Sequence, residues 1–524
     1  MTPVEPDAAA AFTAFADGLA AGRPQVVVRR LIDDLETPVS AYLKVGLGRT
    51  HAFLLESVEG GALNGRYSII TVEPDVVWRC RGGAAEIARG EDVAAERFTP
   101  EALPALDSLR ALIAATRLDL AATPYGDLPP MAAGLFGVFG YDMVRLLEPR
   151  LLAENGGQPN PDPLDLPDAV LTRPSLVAMF DSVRREIVMV ATTYPDGRAL
   201  DPGAAWAAAN ARLAAFEARL RQPLLARSAP EPQDAPAFAS PVDGAAFDTL
   251  VARAKEYITA GDIFQVVLSH RFSAPWAGDP FAFYRSLRRQ NPSPYLFYLN
   301  FGDFQLAGSS PEILVRLKDG GVTIRPLAGT RPRGATRELD KALEAELLAD
   351  PKELAEHLML LDLGRNDVGR VSAPGTVEVT ESFVVERYSQ VMHIVSNVQG
   401  KADPALDAVD TLLAALPAGT LSGAPKVRAM EIIDELEQTR RGVGYGGGVG
   451  YISAGGEADI CIVLRTAMFT QGQVFVQAGA GVVADSDPAA EYAETQAKAR
   501  APMRAAEDAW RFELGAPLNA AGEV

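Results

Sequence analysis

Along most of the chain, apolar residues alternate with polar ones in short runs that end at Gly, Pro, Asn or Asp, and this pattern predicts strands. Residues 26–28 and 39–44 read as strands. So do 50–56 and 67–72, joined by a Gly-rich turn at 60–65. Residues 76–80 and 85–88 fit a hairpin around Gly82 and Gly83. A further strand pair occupies 169–180 and 185–191. Helical spacing marks 8–21, 103–115, 204–219 and 244–259, with strands and helices alternating from there to about 512. Strand pairs that are neighbours in sequence, with short turns, favour antiparallel pairing over repeated βαβ units. The expected class is therefore mixed α/β (α+β), with large sheets and peripheral helices. Between 222 and 243 the periodicity stops and Pro, Ala and Ser recur. This segment reads as a linker between an N-terminal region, 1–221, and a second region, 244–512, before a tail at 513–524.

Composition narrows the function classes. The 524 residues are 48% hydrophobic and 22% charged, the profile of a soluble globular chain of several domains or one large interleaved unit. Sixty-eight acidic residues against 49 basic give a net charge of -19, with no basic cluster, so nucleic acid is excluded as a partner. The longest apolar stretch, 128–141, is Gly-rich and short of the ~20 residues that span a bilayer. The N-terminus carries acids where a signal peptide needs bases. No membrane partner is expected, and the expected location is cytoplasmic. Two cysteines, Cys80 and Cys461, make neither a disulfide framework nor a zinc site.

Two Gly-rich segments invite a dinucleotide reading and fail it. Gly442 to Gly447 fits G-x-G-x-x-G, and so nominally does the run from Gly479 to Ala484. The motif works only where its glycines open a helix. Here the helix signal comes later, at Asp487 and Pro488, which leaves the glycines in a loop between strand and helix. Their other use is turns, or a loop whose bare amides approach an anion.

Carboxylates recur at helical spacing. Asp350, Pro351 and Glu353 start a helix as N-cap, N1 and N3, so Glu353 serves a capping box. Glu356 lies one turn on and opens an apolar run, the usual place of a surface acid. Glu491, Glu494 and Lys498 share one face of the helix that starts at Pro488. They form either a solvated salt bridge or, with acids from the first helix, a site for Mg²⁺, which binds few protein oxygens. His393 lies in a strand-like segment, packed or catalytic. Only four His are present, which excludes a His-rich metal site.

Six segments carry a resemblance: 263–269 (IFQVVLS), 308–312 (GSSPE), 325–333 (RPLAGTRPR), 356–367 (EHLMLLDLGRND), 419–426 (GTLSGAPK) and 477–481 (QAGAG). In this order the chain resembles the chorismate-utilising enzymes, and most closely their anthranilate synthase component I branch. The resemblance covers 31–512. It implies two facing, largely antiparallel sheets surrounded by helices, with the active site between them, and Mg²⁺ as cofactor. It implies Glu356 and Glu494 as metal ligands, with Glu353 and Glu491 beside them. Gly329, Thr330, Tyr445, Arg465, Gly479, Ala480, Gly481 and Lys498 would contact chorismate. Glu312 would be the acid that assists departure of the ring hydroxyl, His393 would serve the elimination of pyruvate, and Thr420 would position substrate.

Two positions separate branches of the family. Relatives that make aminodeoxychorismate carry a nucleophilic Lys where this chain has Ala328. Isochorismate-forming relatives carry a basic Lys where this chain has Gln265. Both departures favour conversion of chorismate and ammonia to anthranilate and pyruvate. The alternatives are an aminodeoxychorismate synthase component I and a non-catalytic, tryptophan-sensing relative. Neither cysteine reads as an activated nucleophile. The resemblance therefore implies a separate glutamine amidotransferase subunit as ammonia donor, in a heterotetramer of two of each. It also implies a tryptophan inhibitor site at Glu56, Ser57, Pro292, Ser293, Pro294, Tyr295, Leu296, Tyr451 and Cys461, to which the N-terminal region contributes.

Overall fold

The computed structural model describes residues 7–59, 63–153, 160–224, 231–388 and 391–514. Two long strands, Leu63–Arg81 and Ala169–Asp181, set the architecture. They pair antiparallel from Tyr67 opposite Asp181 to Cys80 opposite Ala169, with a register shift between Pro74 and Val76. On either side of that shift they recruit different neighbours. The first sheet runs outward from the pair through Ala52–Glu59, Tyr295–Asn300, Phe304–Ser310, Thr466–Thr470, Gln473–Val482 and Gln265–Pro275. Glu186–Thr193 and Gln25–Ile32 close its other side. The second sheet runs through Gly134–Phe139, Gly448–Ser453, Ala458–Ile462, Ile313–Lys318, Gly321–Ile324 and Val391–Lys401. Every strand pairing named here is antiparallel.

Alternation explains why the sheets face each other. Along Tyr295–Asn300, Phe297 and Leu299 join Phe53, Phe136, Val138, Val449 and Met468 in the layer between the sheets. Leu296 and Tyr298 point the other way, toward the helices Pro38–Val45 and Pro280–Gln290. The helices Ala105–Thr116 and Ala408–Ala415 cover the outer face of the second sheet. Each sheet draws strands from both sides of residues 222–243. Ala52–Glu59 pairs with Tyr295–Asn300, and Gly134–Phe139 with Gly448–Ser453. The N-terminal and C-terminal halves are therefore joined by backbone ladders.

Several local expectations change. Residues 39–44 are helical, not a strand: Thr37 caps the helix Pro38–Val45 through a reciprocal bond with Ser40, and Pro38 sits at its first turn. The strands expected at 67–72 and 76–80 are one strand, bent but unbroken. Gly479, Ala480 and Gly481 lie within the strand Gln473–Val482, paired with Gln265–Pro275, rather than in a loop after it. Glu353 closes no capping box. Asp350 caps its helix alone, and the Glu353 carboxylate accepts from Arg331 at 3.1 Å. The apolar stretch at 128–141 contains an unpredicted strand, Gly134–Phe139, buried at every position. Residues 60–62 of the Gly-rich turn, 225–230 of the linker and 515–524 of the tail lie outside the described residues.

Candidate active site

Two segments cross from one sheet to the other and meet. Residues 310–313 leave the strand Phe304–Ser310 for Ile313–Lys318, and residues 462–466 make the reverse passage. They are stitched together by Ile462 N–H to Glu312 O (3.0 Å) and Ser309 N–H to Arg465 O (3.3 Å). The segments that carry Glu312 and Arg465 are thus held together where they cross between the sheets. Glu312 is 6% exposed. Burial pushes its carboxyl up to about 8, against the Thr420 hydroxyl, the Leu327 amide and the Lys498 charge. The Thr420 hydroxyl lies 3.3 Å from both carboxyl oxygens. Arg465 donates to the Lys498 carbonyl at 2.6 Å, and burial lowers its pKa.

Lys498 is the common neighbour of the site. Its charge acts on Glu312, Glu356, Glu491 and His393. Its ammonium bonds Glu494 at 2.6 Å and the Gly479 carbonyl at 3.1 Å. The acids of two helices, Pro351–Gly369 and Pro488–Asp508, converge here. Burial raises the Glu356 carboxyl above its usual range; Lys498 opposes this, and Glu353 and Glu494 add to it. Gln265 donates to Glu356 at 3.4 Å. Burial likewise raises Glu491, with Glu494 adding to the shift. Glu356 is therefore half-buried among acids rather than a free surface residue. Among the described residues no group of three or more His, Cys, Asp or Glu forms a closed metal cluster. The donor set still fits a hard cation that keeps waters and substrate oxygens, because that ion needs only one or two protein carboxylates.

His393 lies on Val391–Lys401 opposite Thr330. Its Nδ1 is 2.9 Å from the Gly329 carbonyl and 3.1 Å from the Thr330 hydroxyl. The carbonyl can only accept, so Nδ1 carries the proton and Nε2 is left as the acceptor. Burial lowers the imidazole to about 4. Gly329 adopts φ +66, which favours glycine, and an added Cβ would lie 3.2 Å from Glu353. Gly479 is required by space instead: a Cβ there would meet the Leu268 carbonyl at 2.6 Å and the Tyr445 hydroxyl at 2.8 Å. At Gly481 it would meet the Gln265 amide at 2.5 Å. Tyr445 and Gly479 are thus in contact, while His393, Glu312, Arg465, Glu356, Glu491 and Glu494 share the surroundings of Lys498, with Gly329 and Thr330 joined to them through His393 and Glu353 through Glu356.

A second cavity, of about 850 Å³, opens between the sheets. Glu56, Ser57, Pro294, Tyr295, Leu296, Tyr451 and Cys461 line it, whereas Pro292 and Ser293 lie outside its lining. The Glu56 carboxylate is already held by Arg288 at 2.7 and 2.9 Å and by the Tyr284 hydroxyl. Tyr295 bonds Asp459 and Arg316, each at 3.0 Å. The cavity also touches Pro311 and Leu327, the neighbours of Glu312. Burial pushes the Cys80 thiol up to about 12 and raises Cys461 further, the reverse of an activated nucleophile.

Two residues of the site carried no sequence signal strong enough to single them out. Tyr388, whose ring meets His393 with centroids 5.6 Å apart, sits at the end of a strand-like segment. Arg441, 2% exposed, precedes the loop at 442–447. An arginine between an amphipathic helix and a Gly-rich loop reads as surface, and only tertiary packing buries it.

The two facing sheets, the crossovers and the acids gathered around Lys498 define a chorismate-binding enzyme, and residues 68–504 match the chorismate binding enzyme family. The chain is similar to anthranilate synthase component 1 of Cereibacter sphaeroides, 54% identical over 504 residues that cover 96% of this chain and 98% of that one. It is 48% identical to the Pseudomonas putida protein of the same name, over 90% of this chain and 93% of that one. The crystal structure of anthranilate synthase component I from Streptococcus pneumoniae superposes with a TM-score of 0.71 at 37% identity, covering 91% of this chain and 99% of that one. The menaquinone-specific isochorismate synthase of Escherichia coli, at 20% identity and a TM-score of 0.67, shares the fold. Within the chorismate-binding enzymes, the chain belongs to the anthranilate synthase component 1 family. Those relatives are named as component 1, which implies a partner component. Among the described residues, no helix is long and apolar enough to cross a membrane.

Proposed function

We propose that this enzyme converts chorismate and ammonia to anthranilate and pyruvate, in the biosynthesis of tryptophan. One observation supports it above the rest: a buried carboxyl that stays protonated near neutral pH, Glu312, lies in the same ammonium field as a cluster of ionisable acids and a neutral histidine. Chorismate is a dianion. Arg465 and Lys498 supply positive charge, and Arg465 has the planar fork that grips a carboxylate. Glu356 and Glu494 would hold Mg²⁺, with Glu353 and Glu491 beside them. The ion, when bound, neutralises a substrate carboxylate and relieves the repulsion among these acids.

The residues then divide the work. Ammonia attacks ring carbon C2 and the ring electrons shift. The hydroxyl leaves as water with the proton that Glu312 donates through a position steadied by Thr420. The aminodeoxyisochorismate so formed loses the C2 proton and breaks its bond to the enolpyruvyl oxygen. That fragment takes up a proton and leaves as pyruvate, and the ring becomes aromatic. His393, neutral and with Nε2 free to accept, is suited to the proton removal. Ala328, 7% exposed, offers no nucleophile for a covalent route. Both thiols are buried and weakly acidic, so nitrogen comes from free ammonia or from a glutamine amidotransferase subunit, in an assembly of two copies of each. Tryptophan would occupy the 850 Å³ cavity as feedback inhibitor.

Mass spectrometry of the product from chorismate, Mg²⁺ and an ammonium salt tests the reading. Anthranilate with pyruvate is expected. Aminodeoxychorismate would place the chain in the other branch, and unchanged chorismate would make it a non-catalytic relative. With glutamine in place of ammonium and no partner subunit, no product is expected.

A further inference from the structure

The segments of the site are far apart in sequence, and one buried side chain ties several of them together. We propose that Arg441 is a positioning residue whose guanidinium holds Thr420, and through it the Glu312 carboxyl, in register with the substrate loop at 442–447. This role rests on the acid assignment of Glu312 made above.

Arg441 spends its fork on three elements. Nη1 donates to the Leu421 carbonyl at 2.6 Å, one residue from Thr420. Nη2 donates to the Val267 carbonyl at 2.7 Å, two residues from Gln265. Nε and Nη2 donate to Glu437 at 2.9 and 2.5 Å. Glu437 in turn accepts from the Ser269 amide at 2.7 Å and the Ser269 hydroxyl at 2.9 Å. Gln477, on the strand that carries Gly479, donates to the same hydroxyl at 2.9 Å. The guanidinium also lies over the rings of Tyr141 and Tyr445, 4.8 and 5.4 Å from their centroids.

The charge of Arg441 is matched by Glu437, also buried, so the guanidinium acts as a tie and not as a receptor for the substrate anion. The ionisable groups that face it are Glu437, Tyr141 and Tyr445. Those that face Glu312 are Lys498 and Tyr388. A planar fork can fix carbonyls of two strangers in sequence at once. A lysine ammonium at the end of a flexible stem cannot hold both in one plane. Freed from that tie, Leu421 would let Thr420 drift from Glu312.

The test compares Arg441→Lys with Thr420→Val and wild type in kcat and KM for chorismate, from neutral to alkaline pH at constant free ammonia, with melting followed in parallel. Arg441→Lys is expected to lose about 10–100-fold in kcat, with a smaller change in KM. Its alkaline limb should move upward, in the same direction as in Thr420→Val, because the hydroxyl no longer stabilises the ionised carboxyl. A lower melting temperature with the limb unmoved would overturn the proposal. If Glu312→Gln keeps the wild-type limb, the acid assignment itself is wrong, whatever Arg441 does. If the limb vanishes in Glu312→Gln and moves in Thr420→Val but not in Arg441→Lys, the positioning role alone fails. Should Arg441→Lys not fold, Ser269→Ala loosens Glu437 from the other side. A smaller shift in the same direction supports the role, and its absence overturns it.

Discussion

The site has two acidic walls, alike in being raised by burial and unlike in their company. Glu312 stands apart from other carboxylates, on a crossover between sheets, and burial alone makes it hold its proton up to about 8. Glu353, Glu356, Glu491 and Glu494 stand on the opening turns of two Asp-Pro-capped helices, where each meets another acid. Helix N-termini favour negative charge, but the crowding works against it. Under the proposed reading, the same residue type is a proton donor on one wall and a cation seat on the other. The difference lies in the neighbours. Burial raises carboxyls on both walls, but at Glu356 and Glu491 neighbouring acids add to the rise, a repulsion that a divalent ion would relieve, whereas Glu312 is raised by burial with no acid beside it. Lys498 borders both walls.

The largest expected effect breaks the first wall. Glu312→Gln keeps the shape and the Thr420 contact but has no proton to donate, so kcat should fall by about 10²–10⁴-fold. Steady-state rates at saturating chorismate and Mg²⁺ measure it; a loss below tenfold would remove Glu312 from the chemistry. The second wall breaks differently. Glu356→Gln removes one anionic oxygen from the cation seat, and the Mg²⁺ concentration needed for half-maximal rate should rise roughly 10–100-fold. Calorimetric titration with Mg²⁺ reads the same loss without turnover. Wild-type activity at low Mg²⁺ would show that Glu356 is not a ligand.

The contrast also has a signature in stability. The Glu312 carboxyl titrates at about 8 when folded and near 4.5 in an unfolded chain. Between those values the unfolded state releases a proton that the folded state keeps, so stability falls as pH rises from 4.5 to about 8 and levels off beyond. Glu312→Gln removes that slope. Its gain over wild type should be absent near pH 4.5 and grow to an upper bound on the order of 4 kcal/mol by pH 8. Chemical denaturation at a series of pH values reads the trend. An equal gain at all pH values would mean that the carboxyl is not held neutral by the fold.

The sequence carried much of the strand pattern and the residues that gather around Lys498, and its omissions have physical causes. The strand pair 169–181 and 186–193 was legible as two apolar runs that are neighbours in sequence, joined by a short turn. Alternation failed at Gly134–Phe139, a short Gly-containing run buried at every position whose partners, Ala169–Asp181 and Gly448–Ser453, are distant in sequence. It failed at Pro38–Val45, where Thr37 and Pro38 outweigh the β-branched Val39 and Val45. Motif order located Glu312, Glu356 and Glu494. Nothing local could show that Glu312 is isolated or that Glu353 is claimed by Arg331, since both depend on partners brought by the fold. Arg441 was illegible for the same reason.

The smallest expected effect on catalysis sharpens the comparison by leaving both walls intact. Ser57 lines the second cavity and pairs in register with Tyr295, which itself pairs with Ser310, two residues before Glu312. A ligand here reaches the first wall through one strand and has no contact with the second. Tryptophan inhibits only if it prefers a state that binds chorismate poorly, and by reciprocity chorismate then weakens tryptophan. Ser57→Arg puts a long cation into the cavity beside Arg66, away from Glu312, which does not line it. The tryptophan concentration for half-inhibition should rise by about 100-fold, roughly 2.7 kcal/mol, with kcat and the Mg²⁺ requirement unchanged. Titration of both proteins with tryptophan at fixed chorismate decides it. Equal inhibition would remove Ser57 from the inhibitor site, and a mutant that loses kcat as well would mean that the cavity and the first wall are one site and not two.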